Sequence, residues 1–436
     1  MKTKSKVCVF WFRRDLRLED NAGLYHALSS GYPVLPVFIF DKDILGKLGD
    51  KSDRRVDYIH QALSRIHIQL RSFQAGLSTF YGTPLDIFKI LAEKYEIQSV
   101  FCNRDYEPEA QARDRRIYEF FQERGIPFRG FKDQVIFDKN EVLKNDGSPY
   151  TVYTPYSIKW KELLTPAHYK AYFPDYTLFF KEGSSGVLSL KELGFEKTDI
   201  PFEVLQLDAE IISGYDLYRD YPAMQRTTRL GIALRFGTIS IRRCVDFALK
   251  HNSTWLNELI WREFFMQILY HFPRVVGQSF KRNYDHIIWR NDVREFRLWC
   301  LGKTGYPIVD AGMRQLNETG YMHNRVRMIA ASFLCKHLLI DWRWGEAYFA
   351  QKLNDYDLSA NNGNWQWVSG SGCDAAPYFR VFNPALQTEK FDKAGEYIKR
   401  WLPDFGTDAY PAPVVEHRFA RERALRVYNM ALKEKN

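Results

Sequence analysis

The residues best suited to chemistry in this 436-residue chain are indoles set among amides and charges. Trp365 and Trp367 lie in Asn361-Asn362-Gly363-Asn364-Trp365-Gln366-Trp367, and Trp261 is followed by Arg262 and Glu263. With Trp289, Trp342 and Trp344 they make six of the chain's eleven tryptophans. Indole usually fills a core, because its large apolar surface is costly to hydrate. Polar neighbours point instead to stacking on a flat ligand, stacking on nucleobases, or relaying electrons.

Four segments carry the other candidates. A helix over 255–265 would put Trp255, Glu258, Trp261, Arg262 and Phe265 on one face. That stripe suits a polar ligand wall or a core edge with an internal ion pair. A helix from His323 would align Asn324, Met328, Ala331 and Cys335. Such a face admits a planar polar ligand, or packs on another helix with Asn324 as a cap. Arg325 and Arg327 leave that face as natural phosphate contacts. The run from Asp355 to Trp367, with Tyr356, Asp357 and Asn361, offers hydrogen bonds to the edge of a heterocycle. Its two tryptophans, two residues apart, must project in roughly opposite directions, one toward a cavity and the other toward protein. Thr227-Thr228-Arg229-Leu230-Gly231 precedes an apolar, helical run, where hydroxyls, backbone N–H groups and a guanidinium can cradle a pyrophosphate.

The elements that must position these residues differ along the chain. Apolar runs at Val7 to Phe12, Val34 to Phe40 and Ser99 to Cys102 read as strands separated by helices. Val56, Ile59, Leu63, Ile66 and Leu70 recur at helical spacing, and Thr83-Pro84 supplies a cap and a first-turn proline. Alternation of this kind predicts a doubly wound, Rossmann-like parallel sheet over residues 1–134. Phe12-Arg13-Arg14-Asp15-Leu16-Arg17 follows the first strand where a dinucleotide fold would carry Gly-x-Gly-x-x-Gly, so an ordinary dinucleotide site is not expected there. Periodicity weakens over 135–205, which reads as a long connector including Lys181 to Gly186. Residues 206–436 read as a larger all-helical domain.

Composition narrows the partners. The net charge of +9 favours a polyanion. The six cysteines are isolated, without Cys-x-x-Cys, and read as buried hydrophobes in a reducing compartment rather than as disulfides or metal ligands. No metal site is expected. No run is long enough to span a bilayer, and Met1 to Lys6 leads into a strand rather than an apolar signal. A cytoplasmic protein is expected.

The segments together resemble the photolyase–cryptochrome family over nearly the whole chain. The likeness rests on Trp11 to Arg17, Asp20-Asn21, Trp255 to Glu263, Lys303 to Asp310, Met322 to Arg325, Leu358 to Gly363 and Phe382-Asn383-Pro384. It implies an N-terminal α/β domain able to hold an antenna chromophore and a helical domain enclosing FAD. The implied FAD contacts are Tyr215, Thr227, Thr228, Arg229, Leu230, Gly231, Arg327, Asp355, Tyr356, Asp357 and Asn361, with Asn361 facing the flavin's central ring nitrogen. Trp365, Trp342 and Trp289 match an electron relay running from flavin to surface; Trp344, two residues past Trp342, is either a packing residue or a side exit. Implied substrate contacts are Glu258, Trp261, Arg262, Asn324, Arg325, Met328, Trp367 and Arg380.

Among the branches, Trp261, Trp367, Asn324 and Met328 match class I enzymes that repair cyclobutane pyrimidine dimers. Six-four photolyases and animal cryptochromes typically carry His at position 324 or 328. The resemblance therefore implies light-driven electron transfer from reduced FAD to a dimer flipped out of DNA, by a monomer with no obligate protein partner. A blue-light receptor and a six-four photolyase are the alternatives. Departures are Thr228 and Gly231 where the family has Ser, and Glu109-Ala110 where folate binders have Asn-Glu. Asp105 to Pro108 and Leu234-Arg235-Phe236-Gly237 resemble the deazaflavin binders, so a deazaflavin or other flavin antenna is favoured over methenyltetrahydrofolate.

Overall fold

The computed structural model describes residues 4–181, 184–202 and 206–433, so part of the Lys181–Gly186 connector and the ends of the chain lie outside the described residues. The chain divides into two compact units: 1–141 with 163–207 and 229–250, and 142–162 with 208–228 and 251–436.

The first unit is built on five parallel strands: β1 (Lys6–Phe12), β2 (Val34–Asp41), β3 (Ser78–Gly82), β4 (Glu96–Asn103) and β5 (Phe128–Phe131). Their order is β3-β2-β1-β4-β5. The central strand β1 reads as an unbroken apolar run because both its faces are covered. Val7, Val9 and Trp11 pack with Phe88, Leu91 and Phe121 on one side, while Cys8, Phe10 and Phe12 pack with Leu24, Leu63 and Ile66 on the other. The expected helices form at Arg54–Arg71 and Pro84–Lys94, the latter capped by Thr83. β3 and β5 were not read from the sequence; they are short edge strands, only partly buried.

The order in which strands are added reverses between β1 and β4, which puts a crevice at their carboxyl ends. The arginine-rich run after β1 fills it. Arg13 binds Asp114 at 2.6 Å, and Asn103 Nδ2 donates to Asp15 at 2.6 Å and to Asn21 at 2.8 Å. Arg17 and Arg242 both grip Asp133, at 2.7 and 2.8 Å. Leu16 N–H donates to the Phe236 carbonyl, and a Cβ on Gly237 (φ +65°) would lie 2.2 Å from the Arg14 carbonyl oxygen. These bonds hold 229–250 within the α/β unit, although the sequence reading placed that stretch in the helical domain.

The 135–205 stretch is likewise divided. Phe179, Leu190, Leu193 and Phe195 join the α/β core. The Tyr153–Leu163 helix belongs to the second unit, where Trp160 Nε1 donates to the buried Glu263 carboxylate at 2.6 Å. The rest of that unit is helical, with Trp299, Met313, Leu316, Phe333, Trp342 and Trp365 in its core. Asp310, at the end of the Lys303–Asp310 motif, accepts four bonds, from Thr304 N and Oγ1, Gly305 N and Tyr410 OH. Among the described residues no helix is long and apolar enough to cross a membrane.

Asp133 yields a prediction. Burial favours its neutral acid, but Arg17 and Arg242 outweigh that and hold the carboxyl below its ordinary range. Its stabilisation is therefore present above the ordinary carboxylate pKa and lost as pH falls through the lowered value. Asp133→Asn should cost about 3–5 kcal/mol in denaturant unfolding at neutral pH, because two buried guanidinia lose their counter-charge. The variant should also show a flatter acid limb; an unchanged pH profile would remove Asp133 from that role.

Candidate active site

The site forms where three helices of the second unit meet: Asn324–Ser332, Trp342–Lys352 and Leu358–Ser369. The polar run after Asp355 is helical because Asp357 caps it, its Oδ1 accepting from Ser359 N and Ala360 N at 3.1 Å each. Helical pitch then sends Trp365 and Trp367 apart as expected. Trp365 is buried on the cavity wall, whereas Trp367 is half-buried against the neighbouring core. Gly345 makes the approach possible, since a Cβ there would sit 2.1 Å from Trp365.

One cavity gathers eight of the sequence candidates: Asn324, Arg327, Met328, Asp355, Tyr356, Asp357, Asn361 and Trp365. His323 caps the Asn324–Ser332 helix, so the Asn324 amide is not used as the cap. It lies instead one turn from Met328, with Nδ2 3.9 Å from the sulfur. Cys335 falls within a π-helical turn, Phe333–His337, beyond the regular helix.

Two features prepare this cavity for a polar heterocycle. Arg327 Nη2 donates to Asp355 Oδ2 at 2.9 Å, while Asp355 Oδ1 is buried with no partner among the described residues. Burial works against the Arg327 charge, but Asp355 overcomes it and keeps the guanidinium firmly protonated. Asn361 Nδ2 donates to both the Glu346 carbonyl (3.1 Å) and its Oε1 (2.8 Å). With its amide hydrogens committed, Asn361 has its carbonyl oxygen to offer a ligand. Burial raises the Glu346 carboxyl above its ordinary range, against the opposing Asn361 bond. Glu346 was not singled out in the sequence; it comes from a different helix, and no local pattern marks it.

Other candidates lie elsewhere. Glu258 is bound by Arg219, whose guanidinium is 5.8 Å from the Tyr215 ring centroid. Burial raises the Glu258 carboxyl and Arg219 only partly offsets it. Trp261 is half-exposed and stacked on Tyr153. Arg325, expected as a phosphate contact, is engaged by Asp220 at 2.6 Å and lies 4.4 Å from the Phe391 ring. Arg262 is half-buried and Arg380 is exposed beside Phe382. The segment expected to cradle a pyrophosphate is divided in the chain's partition: Thr227 and Thr228 belong to the helical unit, while Arg229 (φ +51°), Leu230 and Gly231 belong to the α/β unit. A wider cavity of about 870 Å³ lies in the α/β unit, but none of the candidate site residues line it.

The indoles differ in exposure. Trp365 and Trp342 are buried, and Trp289 is half-exposed, edge-on to Tyr428 at 5.9 Å. Trp299, not anticipated as a site residue, is buried 6.1 Å from Trp365. Phe296 stacks on Trp299 at 5.9 Å and meets Trp344 at 5.2 Å.

A two-unit protein with a parallel sheet and a helical unit whose cavity gathers amides, carboxylates and an indole has known counterparts. The family model described as DNA photolyase matches residues 8–174, and that described as FAD binding domain of DNA photolyase matches 255–407. The chain is 36% identical to the deoxyribodipyrimidine photo-lyase of Vibrio cholerae, over 97% of this chain and 99% of that protein. It superposes on a bacterial class III photolyase from Agrobacterium tumefaciens with TM-score 0.88 and 34% identity, covering 99% of this chain and 98% of that one. An archaeal photolyase from Sulfolobus tokodaii, solved with two FAD molecules, gives TM-score 0.85 and 35% identity, covering 97% and 100%. The chain belongs to the DNA photolyase family, and FAD is its cofactor.

The residues present fit FAD: an unpaired buried carboxylate oxygen, a fixed guanidinium and an oriented amide face one cavity. Arg327→Met should therefore lower retained flavin by about tenfold, the cost of stripping a charge-assisted partner from Asp355. The ratio of flavin to protein absorbance after purification checks this, with full flavin content as the contrary result.

Proposed function

We propose that the chain repairs cyclobutane pyrimidine dimers in DNA with light, as a class I photolyase. One observation carries the reading: Asn324 and Met328, the lesion-side pair, share a cavity with Arg327, Asp355, Asn361 and Trp365, the cofactor-side group. Bound and reduced, FAD supplies one electron on absorbing light and recovers it after the dimer has split.

The remaining work falls to this chain's side chains. A dimer within a duplex cannot reach a buried cavity, so it must be turned out of the stack. Trp261 and Trp367 supply apolar surfaces for it, and Asn324 hydrogen-bonds a pyrimidine edge. Glu258, whose carboxyl burial raises above its ordinary range, hydrogen-bonds a thymine edge. The basic surface, including Arg262 and Arg380, binds phosphates largely without reading sequence. Asn361, held by Glu346, presents its oxygen to the flavin's central ring nitrogen, and Tyr215, Thr227, Thr228, Arg229, Leu230, Gly231, Tyr356 and Asp357 make the other cofactor contacts. Trp365, Trp342 and Trp289 relay electrons inward, a role supported by two buried indoles and a half-exposed third. Trp344, linked to Trp365 through Trp299 and Phe296, offers the side exit.

The class I reading rests on Trp261, Trp367, Asn324 and Met328; the class III relative shares the fold at 34% identity, so architecture alone does not separate the classes. For the antenna we favour a deazaflavin or other flavin in the α/β unit. Supporting this, Glu107 binds both Arg14 and Arg235 at 2.8 Å, joining the two motifs that resemble flavin-type binders. We also place the protein in the cytoplasm as a monomer, in keeping with six cysteines that are all free.

Repair of a defined dimer in light and in darkness tests the whole. Dimers left intact by flavin-loaded, reduced, illuminated protein would favour a blue-light receptor; repair confined to six-four products would move it to that branch. Trp365→Phe should block photoreduction of oxidised FAD by at least about tenfold while already reduced enzyme still repairs; equal loss of both refutes the relay role. Glu258→Ala should lower repair per absorbed photon by about 2- to 10-fold, more than it weakens dimer binding. An unchanged yield would take Glu258 out of the chemistry.

A further inference from the structure

We propose that Tyr153 is a positioning residue that pre-sets the Trp261 indole as the platform for the flipped lesion. This rests on the reading of Trp261 as a lesion contact. The Tyr153 and Trp261 rings are almost parallel, 5° between planes, with centroids 3.6 Å apart. Nothing can intercalate at that separation, so a base must approach Trp261 from the opposite face.

Tyr153 is fixed rather than poised to leave. Its hydroxyl donates to the Asn257 carbonyl at 2.9 Å, one turn before Trp261 on the same helix. Its backbone N–H donates to Asp374 Oδ2 at 3.0 Å. It opens the Tyr153–Leu163 helix, which Tyr156 and Trp160 anchor on the Glu263 carboxylate. Phe264 meets the indole edge-on at 5.6 Å, which limits its rotation from the side. Trp261 is thus held before any DNA arrives.

The stack is present with and without DNA, so its own attraction cancels in binding. What differs is the cost of ordering the indole, about 0.5–1.5 kcal/mol for one immobilised side chain. Removing the Tyr153 ring should therefore weaken binding of dimer-containing DNA by about 2- to 12-fold. Undamaged DNA, held through phosphates, should bind as before.

Equilibrium binding of both DNAs to Tyr153→Ala and Tyr153→Phe, with Trp261→Ala alongside, makes the test. Tyr153→Ala is expected to lose only dimer affinity, Tyr153→Phe to restore it, and repair per photon at saturating DNA to stay unchanged. Equal loss on both DNAs, or wild-type dimer affinity in Tyr153→Ala while Trp261→Ala loses discrimination, overturns the role of Tyr153 alone. Full discrimination in Trp261→Ala overturns the platform itself. Should the alanine variant not fold, Tyr153→Leu, which fills the space without an aromatic face, takes its place under the same criteria.

Discussion

The close seam between the Trp342–Lys352 and Leu358–Ser369 helices is the constraint on which the rest of the site depends. At Gly345 the Trp365 ring lies so close to the neighbouring helix's backbone that even a methyl group would overlap it. That contact buries Trp365 at the cavity wall and brings Glu346 within reach of Asn361. Widening the seam would release the indole, the amide and the carboxyl together. The three are coupled through one backbone separation rather than through a chain of side-chain bonds, and packing at interior density makes such a separation hard to change.

The same economy of means appears around Glu263. Its buried carboxylate accepts from Trp160 and Tyr156, so the Tyr153–Leu163 helix is bonded onto the Ser253–His271 helix instead of merely packed against it. A buried carboxylate without such donors would be strongly unfavourable. Satisfying it specifies which way the Tyr153–Leu163 helix lies, and hence which ring meets Trp261. A residue distant from the cavity thereby governs a face that the substrate is proposed to touch.

Much of this was legible in the sequence, for identifiable reasons. β1, β2 and β4 are covered on both faces and so appear as long apolar runs, whereas β3 and β5, at the edges, carry too little buried surface to stand out. Thr83-Pro84 signalled a helix start because capping is local. The spacing of Trp365 and Trp367 fixed their divergence once either regular element was assumed. What escaped was non-local. Glu346, Tyr153 and Trp299 gain their importance from partners on other elements, and the stretch 229–250 joins the α/β unit through distant partners, Gly237 against Arg14 and Arg242 on Asp133. The likeness to a known family located motifs but did not reveal which were structural: the arginine-rich run after β1 and the Lys303–Asp310 run mostly satisfy buried charge.

Tryptophan content is therefore a weak signal by itself, and its surroundings decide what it means. Trp11, Trp160 and Trp299 are among the largest fully buried side chains, and each has a neighbour that meets its polar or π needs: two guanidinia near Trp11, Glu263 for Trp160, the Ala330 carbonyl for Trp299. Trp261, Trp289, Trp344 and Trp367 are half-buried. A half-buried indole retains apolar surface that water solvates poorly, and a ligand, a nucleobase or an electron partner can use it. Trp365 and Trp342 are as buried as the structural group, yet Trp365 lines the cavity. Burial does not disqualify an electron relay, since a dry environment lowers the reorganisation that accompanies a moving charge, as it strengthens every fixed electrostatic interaction in such a site. The indoles thus divide by what remains open around them, a property that the spacing of residues in a sequence only partly encodes.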